Sequence, residues 1–195
     1  MSILTQQLPD TITVSGGQYP IRTDFRVWLE FTSLMLSEKP AGGKAVEMLV
    51  LLFDTLPPSF HDTWEAVLKF YTGSSEKQKN GGEDSTGAKR IYDFEADADY
   101  IYAAFLQQYQ IDLQRARLHW WAFRALFHAL GEDTQFIKIV GYRSMDLSKI
   151  KNREQREMYA KLKKQYALPT PQAEREQIDR IQQALLNGGD LTGIL

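Results

Sequence analysis

The sequence contains no cysteine, which excludes disulfide bonds, thiolate nucleophiles and cysteine-ligated metals. It has three histidines, His61, His119 and His128, and their spacing matches neither a zinc finger nor a zinc protease. No apolar run approaches the roughly 20 residues that span a bilayer. The N-terminal stretch MSILTQQLPD has neither the basic start nor the apolar core of a signal peptide. These absences predict a soluble intracellular protein with no metal site and no cofactor.

An excess of charge of one sign is also missing, because 23 Lys and Arg oppose 25 Asp and Glu for a net charge of −2. Such a balance gives no general attraction to nucleic acid or membranes. The sequence has no Walker loop, no dinucleotide-binding fingerprint and no Gly-x-Ser-x-Gly nucleophile elbow. No nucleophile lies beside an evident base. We therefore expect no catalytic residue and a protein that is not an enzyme.

The sequence does contain helical periodicity along most of its length, and one early exception. TITVSGGQYPI alternates apolar and polar residues around Ser15-Gly16-Gly17, which is typical of a β-hairpin. A helix follows with Thr23 or Asp24 as its cap. KAVEMLVLLFDTL is so apolar that we expect a helix buried on most sides and stopped by Pro57-Pro58. A third helix is expected from the cap Ser59 to Gly73.

The second half of the sequence is typical of helices alone. The expected helices run from about Tyr92 to Tyr109, from Asp112 to Gly131, and through DTQFIKIVGYR with an interruption at Gly141. Two more begin at the caps Asn152 and Thr170. The pattern predicts a mainly α fold with a short N-terminal hairpin and about seven helices.

Residues 74–89 separate these halves with the polar stretch SSEKQKNGGEDSTGAK, in which the one aliphatic side chain is Ala88. Such a segment buries too little surface to offset the entropy of ordering it. We expect a flexible linker between an N-terminal unit (1–73) and a C-terminal unit (90–195). One helical domain with a surface loop at 74–89 is the alternative, and the sequence leaves both open.

Four carboxylates alternate in IYDFEADADY: Asp93, Glu95, Asp97 and Asp99. A helix-loop-helix calcium site needs Gly at position 6 and a carboxylate at position 12, where this sequence has Ala98 and Ala104. The missing glycine and the missing final carboxylate disfavour a metal loop. We expect some of these acids to lie in the first turns of a helix, where its dipole stabilises negative charge.

Two other segments suggest contacts with partners. In LHWWAFRALF, Trp120, Phe123 and Phe127 form one helical stripe, and Trp121 points about 100° away, toward the N-terminal unit or a partner. The final NGGDLTGIL carries two apolar residues after flexible glycines. The candidate partner-binding residues are Trp121, Tyr142, Tyr159, Ile194 and Leu195.

From Ser148 to Tyr166 the sequence has seven Lys and Arg against two Glu. An isolated basic helix contacts phosphates in some proteins, but a solvated face or an acidic surface is the more common environment. The acidic run at 93–99 is an intramolecular candidate. Nucleic acid binding is therefore a minor alternative.

Five stretches in order, RIYDFEADADYIYAAFLQQYQIDL, LHWWAFRALF, IVGYRSMDLSKI, YAKLKKQYALP and ALLNGGDLTGIL, resemble the bacteriophage gene-product-fifteen family. The members of this family are proteins of phages and prophages of Gram-positive bacteria. The resemblance covers the chain after residue 89 and, more loosely, the hairpin and TDFR. No single motif is specific; the ordered set is.

The resemblance implies no enzyme activity and no catalytic residue. It implies a gene among the tail genes, close before the tape-measure gene, in the position of tail assembly chaperones. The expected function is therefore a chaperone-like role in the host bacterial cytoplasm, with the tape-measure protein as partner. Self-association into a homo-oligomer stays open. The alternatives are a structural tail component of the virion and a host-interacting or nucleic-acid-binding phage protein.

Overall fold

The computed structural model of the protein describes residues 4–37, 40–73 and 90–169. Within these ranges the fold has two β-strands followed by seven α-helices, with one 3₁₀ turn (Leu147–Lys149) before the last helix. The strands are β1 (Thr11–Val14) and β2 (Gly17–Pro20); the helices are α1 (Phe25–Leu36), α2 (Ala41–Leu52), α3 (Phe60–Thr72), α4 (Ala98–Tyr109), α5 (Trp120–His128), α6 (Gln135–Ser144) and α7 (Arg153–Gln165). The mainly α fold with an N-terminal hairpin is confirmed.

The hairpin turns where the sequence predicts it. The strands are antiparallel with Val14 opposite Gly17, and the two residues between them, Ser15 and Gly16, have φ of +48° and +82°. Positive φ at both central residues is the hairpin turn that matches the twist of the strands. The Ser15 hydroxyl donates a hydrogen bond of 2.6 Å to Asp62. This contact fixes the hairpin on α3.

Three predicted helix starts are confirmed by side-chain caps. Asp24 accepts the backbone N–H of Arg26 at 2.9 Å, so Asp24 rather than Thr23 caps α1. Ser59 caps α3, and Asn152 accepts the N–H of Gln155 at 3.0 Å to cap α7. These side chains satisfy backbone donors that have no partner inside the helix.

The predicted start of α4 is wrong by about six residues. The helix begins at Ala98 and not near Tyr92, because the Asp93 carboxylate accepts the backbone N–H groups of Glu95 and Ala96 at 2.9 and 2.7 Å. Such a side-chain bond to the local backbone forms a turn that competes with helix. Residues 93–97 therefore form a turn that leads into the helix.

The helix predicted between Asp112 and Gly131 is also shorter, since α5 covers only Trp120–His128. Asp112 accepts the N–H of Gln114 at 2.9 Å and so forms a local turn. The Arg26 guanidinium donates to three carbonyls of this stretch, with the closest bond to Leu113 at 2.7 Å. These contacts hold residues 112–116 outside the helix.

Two predictions about helix breaks are wrong, one at Gly141 and one at Pro57-Pro58. α6 continues through Gly141 to Ser144 without an interruption. α2 ends at Leu52, before Pro57-Pro58. Its expected burial on most sides is also wrong, because Val46 and Val50 are 49% and 53% exposed.

The core contains side chains from both sides of residues 74–89. Trp28 of α1 stacks on Trp120 of α5 at 5.9 Å between ring centroids, and both are buried. Phe25 stacks on Phe123 at 4.7 Å, and Phe123 also stacks on Phe105 of α4 at 5.2 Å. The described parts of the chain therefore share one aromatic core. The segment 74–89 itself, and the helix predicted from Thr170, lie outside the described residues.

Candidate functional site

The acidic segment ends in a buried ion pair. Asp97 is fully buried, and its two carboxylate oxygens accept hydrogen bonds of 2.6 and 2.8 Å from the guanidinium of Arg143 on α6. Bidentate arginine–carboxylate pairs combine strong hydrogen bonds with fixed geometry. Asp97 also accepts the backbone N–H of Asp93 at 3.0 Å. Asp97 therefore holds the turn against α6, and both of its carboxylate oxygens accept hydrogen bonds from within the protein.

Arg143 joins three segments of the chain. Besides Asp97, it donates to the backbone carbonyl of Ile91 at 3.2 Å and to that of Tyr166, just after α7. The segment before α4, helix α6 and the end of α7 are therefore held by one guanidinium. The sequence offered the basic segment 148–166 as partner of the acidic run, and this is wrong for Asp97, because its partner lies on α6.

The other acids of the run have separate roles. Asp93 pairs with Arg90 at 3.3 Å and shapes the turn, while Asp99 lies in the first turn of α4 as expected. Glu95 is exposed. Among the residues that the structure describes, no group of three or more His, Asp or Glu side chains is arranged to hold a metal ion.

A tyrosine cluster lies next to this ion pair. Tyr142 of α6 contacts Tyr159 of α7 at 6.3 Å between ring centroids and stacks on Tyr166 at 6.0 Å. Tyr166 also meets Tyr100 of α4 edge-on at 6.5 Å. The rings are half-buried. Two predicted partner-binding residues, Tyr142 and Tyr159, are thus brought together, in a cluster that attaches α7 to the rest of the protein.

Trp121 lies elsewhere, against α3. Its indole N–H donates to the carbonyl of Phe70 at 2.7 Å, and its ring lies 5.3 Å from that of Phe70. Of the two expected environments of Trp121, the N-terminal unit or a partner, this contact is with the first, and its role as a partner-binding residue stays a prediction. The remaining two candidates, Ile194 and Leu195, lie outside the described residues.

Two carboxylates, those of Asp62 and Asp146, have lowered pKa values because they are hydrogen-bonded to serines. The hydroxyl of Ser15, and then Ser59, lower the pKa of Asp62 by hydrogen bonds, and Ser148 does the same for Asp146. Asp62 lies in the first turn of α3 and Asp146 caps the 3₁₀ turn. Both groups stabilise the start of a helical turn.

His119 caps α5, and its surroundings lower its pKa. Its Nδ1 accepts the backbone N–H of Trp121 at 3.0 Å, and its Nε2 lies 2.9 Å from the carbonyl of Pro9. Burial lowers the pKa of His119, against the bond to Pro9 and the charge of Asp10, which raise it. The ring therefore links the N-terminal segment to α5 in its neutral form.

Exposed apolar side chains on the helices were missed by the sequence reasoning. The helical residues Leu36, Val46, Val50, Phe60, Leu68, Leu106 and Met158 are each at least 36% exposed. A helical period alone assigns apolar residues to the core. These side chains form the large apolar part of the surface of the described helices. A search of the described helices finds none with the length and apolarity needed to cross a membrane.

Comparison with known proteins agrees with the resemblance of the five stretches. No curated protein and no solved structure matches the chain. The family model described as Bacteriophage Gp15 protein matches residues 4–168, which include the hairpin, all seven described helices and the Asp97–Arg143 pair. The chain therefore belongs to the Bacteriophage Gp15 protein family.

Proposed function

We propose that the protein is a non-enzymatic tail assembly chaperone that binds the tape-measure protein of its phage while the tail is built. The observation that carries this proposal is membership of a phage protein family over residues 4–168. The resemblance implies a gene in the position of tail assembly chaperones. The protein would act in the cytoplasm of the bacterial host, where tails assemble.

The surface of the described helices supports binding to a helical client. Val46 and Val50 lie one turn apart on α2 and are about half exposed, so they present an exposed apolar pair. Recognition of an amphipathic helix depends on such apolar contacts at intervals of three or four residues. A chaperone of this kind needs a binding surface and no reaction centre.

The second candidate is a structural component that stays in the finished tail. A compact aromatic core, with Trp28 and Trp120 stacked and fully packed, is as suitable for a permanent virion protein as for a transient chaperone. The two functions differ in whether the protein remains in the finished virion. Mass spectrometry of purified virions finds a structural component and does not find a chaperone.

The test begins with co-expression of the full chain and fragments of the tape-measure protein of the same phage. We expect at least one fragment to co-elute with the chain in gel filtration, and the major capsid protein, as control, to elute alone. Deletion of the gene is expected to give filled heads without tails, restored by a plasmid copy. Normal tails from the deletion would rule the proposal out.

A further inference from the structure

Helix α7 has an apolar side that the rest of the described protein covers only in part. At about 100° per residue, Leu162 lies about 40° and Tyr159 about 100° around the helix from Met158. Tyr159, and Tyr166 just after the helix, contact Tyr142 of α6 at one edge of this side. Met158 at the other edge is 48% exposed, Leu162 is half-buried, and no residue of α7 is buried. The Met158 edge of α7 is therefore uncovered in the part of the chain that the structure describes.

Charge does not select what covers this edge. The quarter of the helix beside Met158 contains three cations and two carboxylates, so its net charge is only +1. These residues are Arg153, Lys161, Lys164, Glu154 and Glu157. One cation is already paired within the helix, since Arg153 lies 2.8 Å from Glu157. The apolar residues of α7 must therefore identify its occupant.

The chain leaves α7 at a fixed point close to this edge. α7 ends at Gln165, and the carbonyl of Tyr166 accepts a hydrogen bond from the buried Arg143. The described residues stop shortly afterwards, at Pro169. Residues 170–195 thus start within one short connection of the exposed end of α7, and they are tethered to it.

The amino-acid sequence of that segment predicts an amphipathic helix of matching length. Thr170 is its expected cap, Pro171 its first residue and Gly188 the residue past its end. A helix over 171–187 is about 26 Å long, and α7 is about 20 Å long. Its apolar stripe consists of Ile178, Ile181 and Leu185. Such a helix has one side that needs an apolar partner, because an isolated helix of this length is marginal in water.

The connection between the two helices determines how they can meet. It consists of the five residues 166–170, and helices joined by about two to five residues form an antiparallel hairpin. Met158 lies seven residues before the last residue of α7, and Ile178 lies seven residues after the first residue of the predicted helix. Both are therefore about 10 Å from the connection along their helix axes. An antiparallel hairpin places Ile178 level with Met158.

We infer that residues 171–187 of this chain fold back as an antiparallel helix on α7, with Ile178 covering Met158. The tether gives this segment an effective concentration in the millimolar range, an advantage over any free partner. The apolar edge of α7 is then a contact within the protein and not a surface for a client. The inference does not rest on the proposed function.

The first test is a disulfide cross-link in the full chain, which has no native cysteine. A disulfide needs Cα atoms within about 7 Å, so Met158→Cys with Ile178→Cys should oxidise to an internal disulfide. The matched control combines Met158→Cys with Glu176→Cys, since residue 176 lies about 160° around the predicted helix from Ile178. A second control combines Ile178→Cys with Val50→Cys on α2, where Val50 is 53% exposed. Circular dichroism first verifies that all three variants are folded.

Cross-linking is measured at low protein concentration by counting free thiols over time, and gel filtration separates monomers from dimers. We expect the Met158–Ile178 pair to oxidise on the order of tenfold faster than either control, within a monomer. Equal rates for this pair and the Glu176 control would show that residues 171–187 do not dock on α7 in this way. A faster reaction with Val50 would place the segment on α2, and disulfides formed only in dimers would make a second copy the occupant. Each of these results overturns the inference.

The second test is limited digestion by trypsin, which cleaves after Arg175 and Arg180 where the backbone is open. Met158→Gln keeps a good helix former in α7 and removes the apolar contact. Cleavage at these two bonds should become about fivefold faster, because it follows the population of the undocked segment. The control is Leu106→Gln on α4, where Leu106 is 42% exposed, and it should leave both rates at the native value. Equal cleavage of the two variants would show that Met158 does not hold the segment, and the inference would be wrong.

Discussion

Asp97 and Arg143, 46 residues apart in the sequence, form a buried ion pair through two hydrogen bonds of 2.6 and 2.8 Å. The pair satisfies both charges inside the protein, and Arg143 uses its other donors on the carbonyls of Ile91 and Tyr166. Charges removed from water are stable only when they are paired and hydrogen-bonded in this way. Loss of one partner should therefore be much more costly than loss of a surface charge.

Substitution of Asp97 by alanine tests this expectation. It leaves the Arg143 guanidinium buried without its carboxylate, and breaking a buried pair costs about 3–5 kcal/mol. Urea unfolding followed by tryptophan fluorescence measures the free energy of unfolding. The control is Asp99→Ala, an exposed acid in the first turn of α4, with an expected cost of about 0.3–1 kcal/mol. Equal costs for the two variants would show that the pair is not buried as described.

His119 predicts a dependence of stability on pH. Carbonyl oxygens accept and do not donate, so the contact with Pro9 places the proton on Nε2, and Nδ1 is free to accept from Trp121. Protonation of Nδ1 would break the cap of α5. Because burial lowers the pKa of His119 below its ordinary 6.5, the unfolded chain binds the proton more readily. The stabilisation is fully present above that value and is lost as the pH falls through the lower folded pKa.

We expect the free energy of unfolding to decrease between about pH 7.5 and about pH 5, the range in which histidine titrates. The variant His119→Asn keeps an oxygen acceptor for the cap and does not titrate, so its pH dependence in this range should be smaller. His61→Gln is the control for the loss of an exposed histidine that does not cap α5. An identical pH profile for native protein and His119→Asn would contradict the assignment.

Gly73 and Gly141 predict opposite effects of the same substitution. Gly73 has φ +72° and ψ 156°, a conformation that is essentially restricted to glycine, and an added Cβ would lie 3.2 Å from the Arg124 guanidinium. Gly73→Ala should cost about 1–3 kcal/mol. Gly141 lies inside α6 with no atom within 4 Å of an added Cβ, so Gly141→Ala should stabilise by about 0.5–1 kcal/mol. Thermal unfolding of the two variants checks both signs.

The shared aromatic core predicts that the described parts of the chain unfold together. Phe123 stacks on Phe25 before residues 74–89 and on Phe105 after them. Phe123→Ala should cost about 3–5 kcal/mol. Tryptophan fluorescence, which reports Trp28 and Trp64 as well as Trp120 and Trp121, should change at the same urea concentration as helix content. Two separate transitions would indicate independent units and contradict this coupling.

Several local features of the fold could be predicted from the sequence because they depend on neighbouring residues only. The turn at Ser15-Gly16 needs positive φ at both positions, and Asp24, Ser59 and Asn152 cap helices with their own side chains. Each of these is decided within a few residues, so composition and spacing are enough to find it.

The start of α4 and the length of α5 were predicted incorrectly for a common reason. Their helical periodicity extends further than the helices themselves, but Asp93 and Asp112 bond the local backbone instead. Those turns are held by distant groups, Arg143 for the first and Arg26 for the second. No local pattern reveals which of the two structures such distant arginines favour.

The candidate site divides in the same way. Trp121 was identified from helical geometry, because adjacent tryptophans cannot share one face, and the basic composition of residues 148–166 could be counted directly. The partner of Asp97 could not be predicted, because no sequence pattern around Arg143 distinguishes it from an arginine on the surface of a helix. The exposure of Val46 and Val50 was missed because composition alone does not distinguish an apolar helix with one exposed side from an apolar helix that is buried on all sides.

The sequence by itself therefore determined the mainly α class, the hairpin, the caps and, through an ordered set of segments, the phage family. Tertiary structure alone decided that Trp28 stacks on Trp120 across residues 74–89, that Arg143 holds Asp97, and that α7 lies on the surface with none of its residues buried. The physical reason is the distance along the sequence over which each effect acts. Backbone preferences act over a few residues, whereas burial and ion pairing depend on which distant segments meet when the core forms.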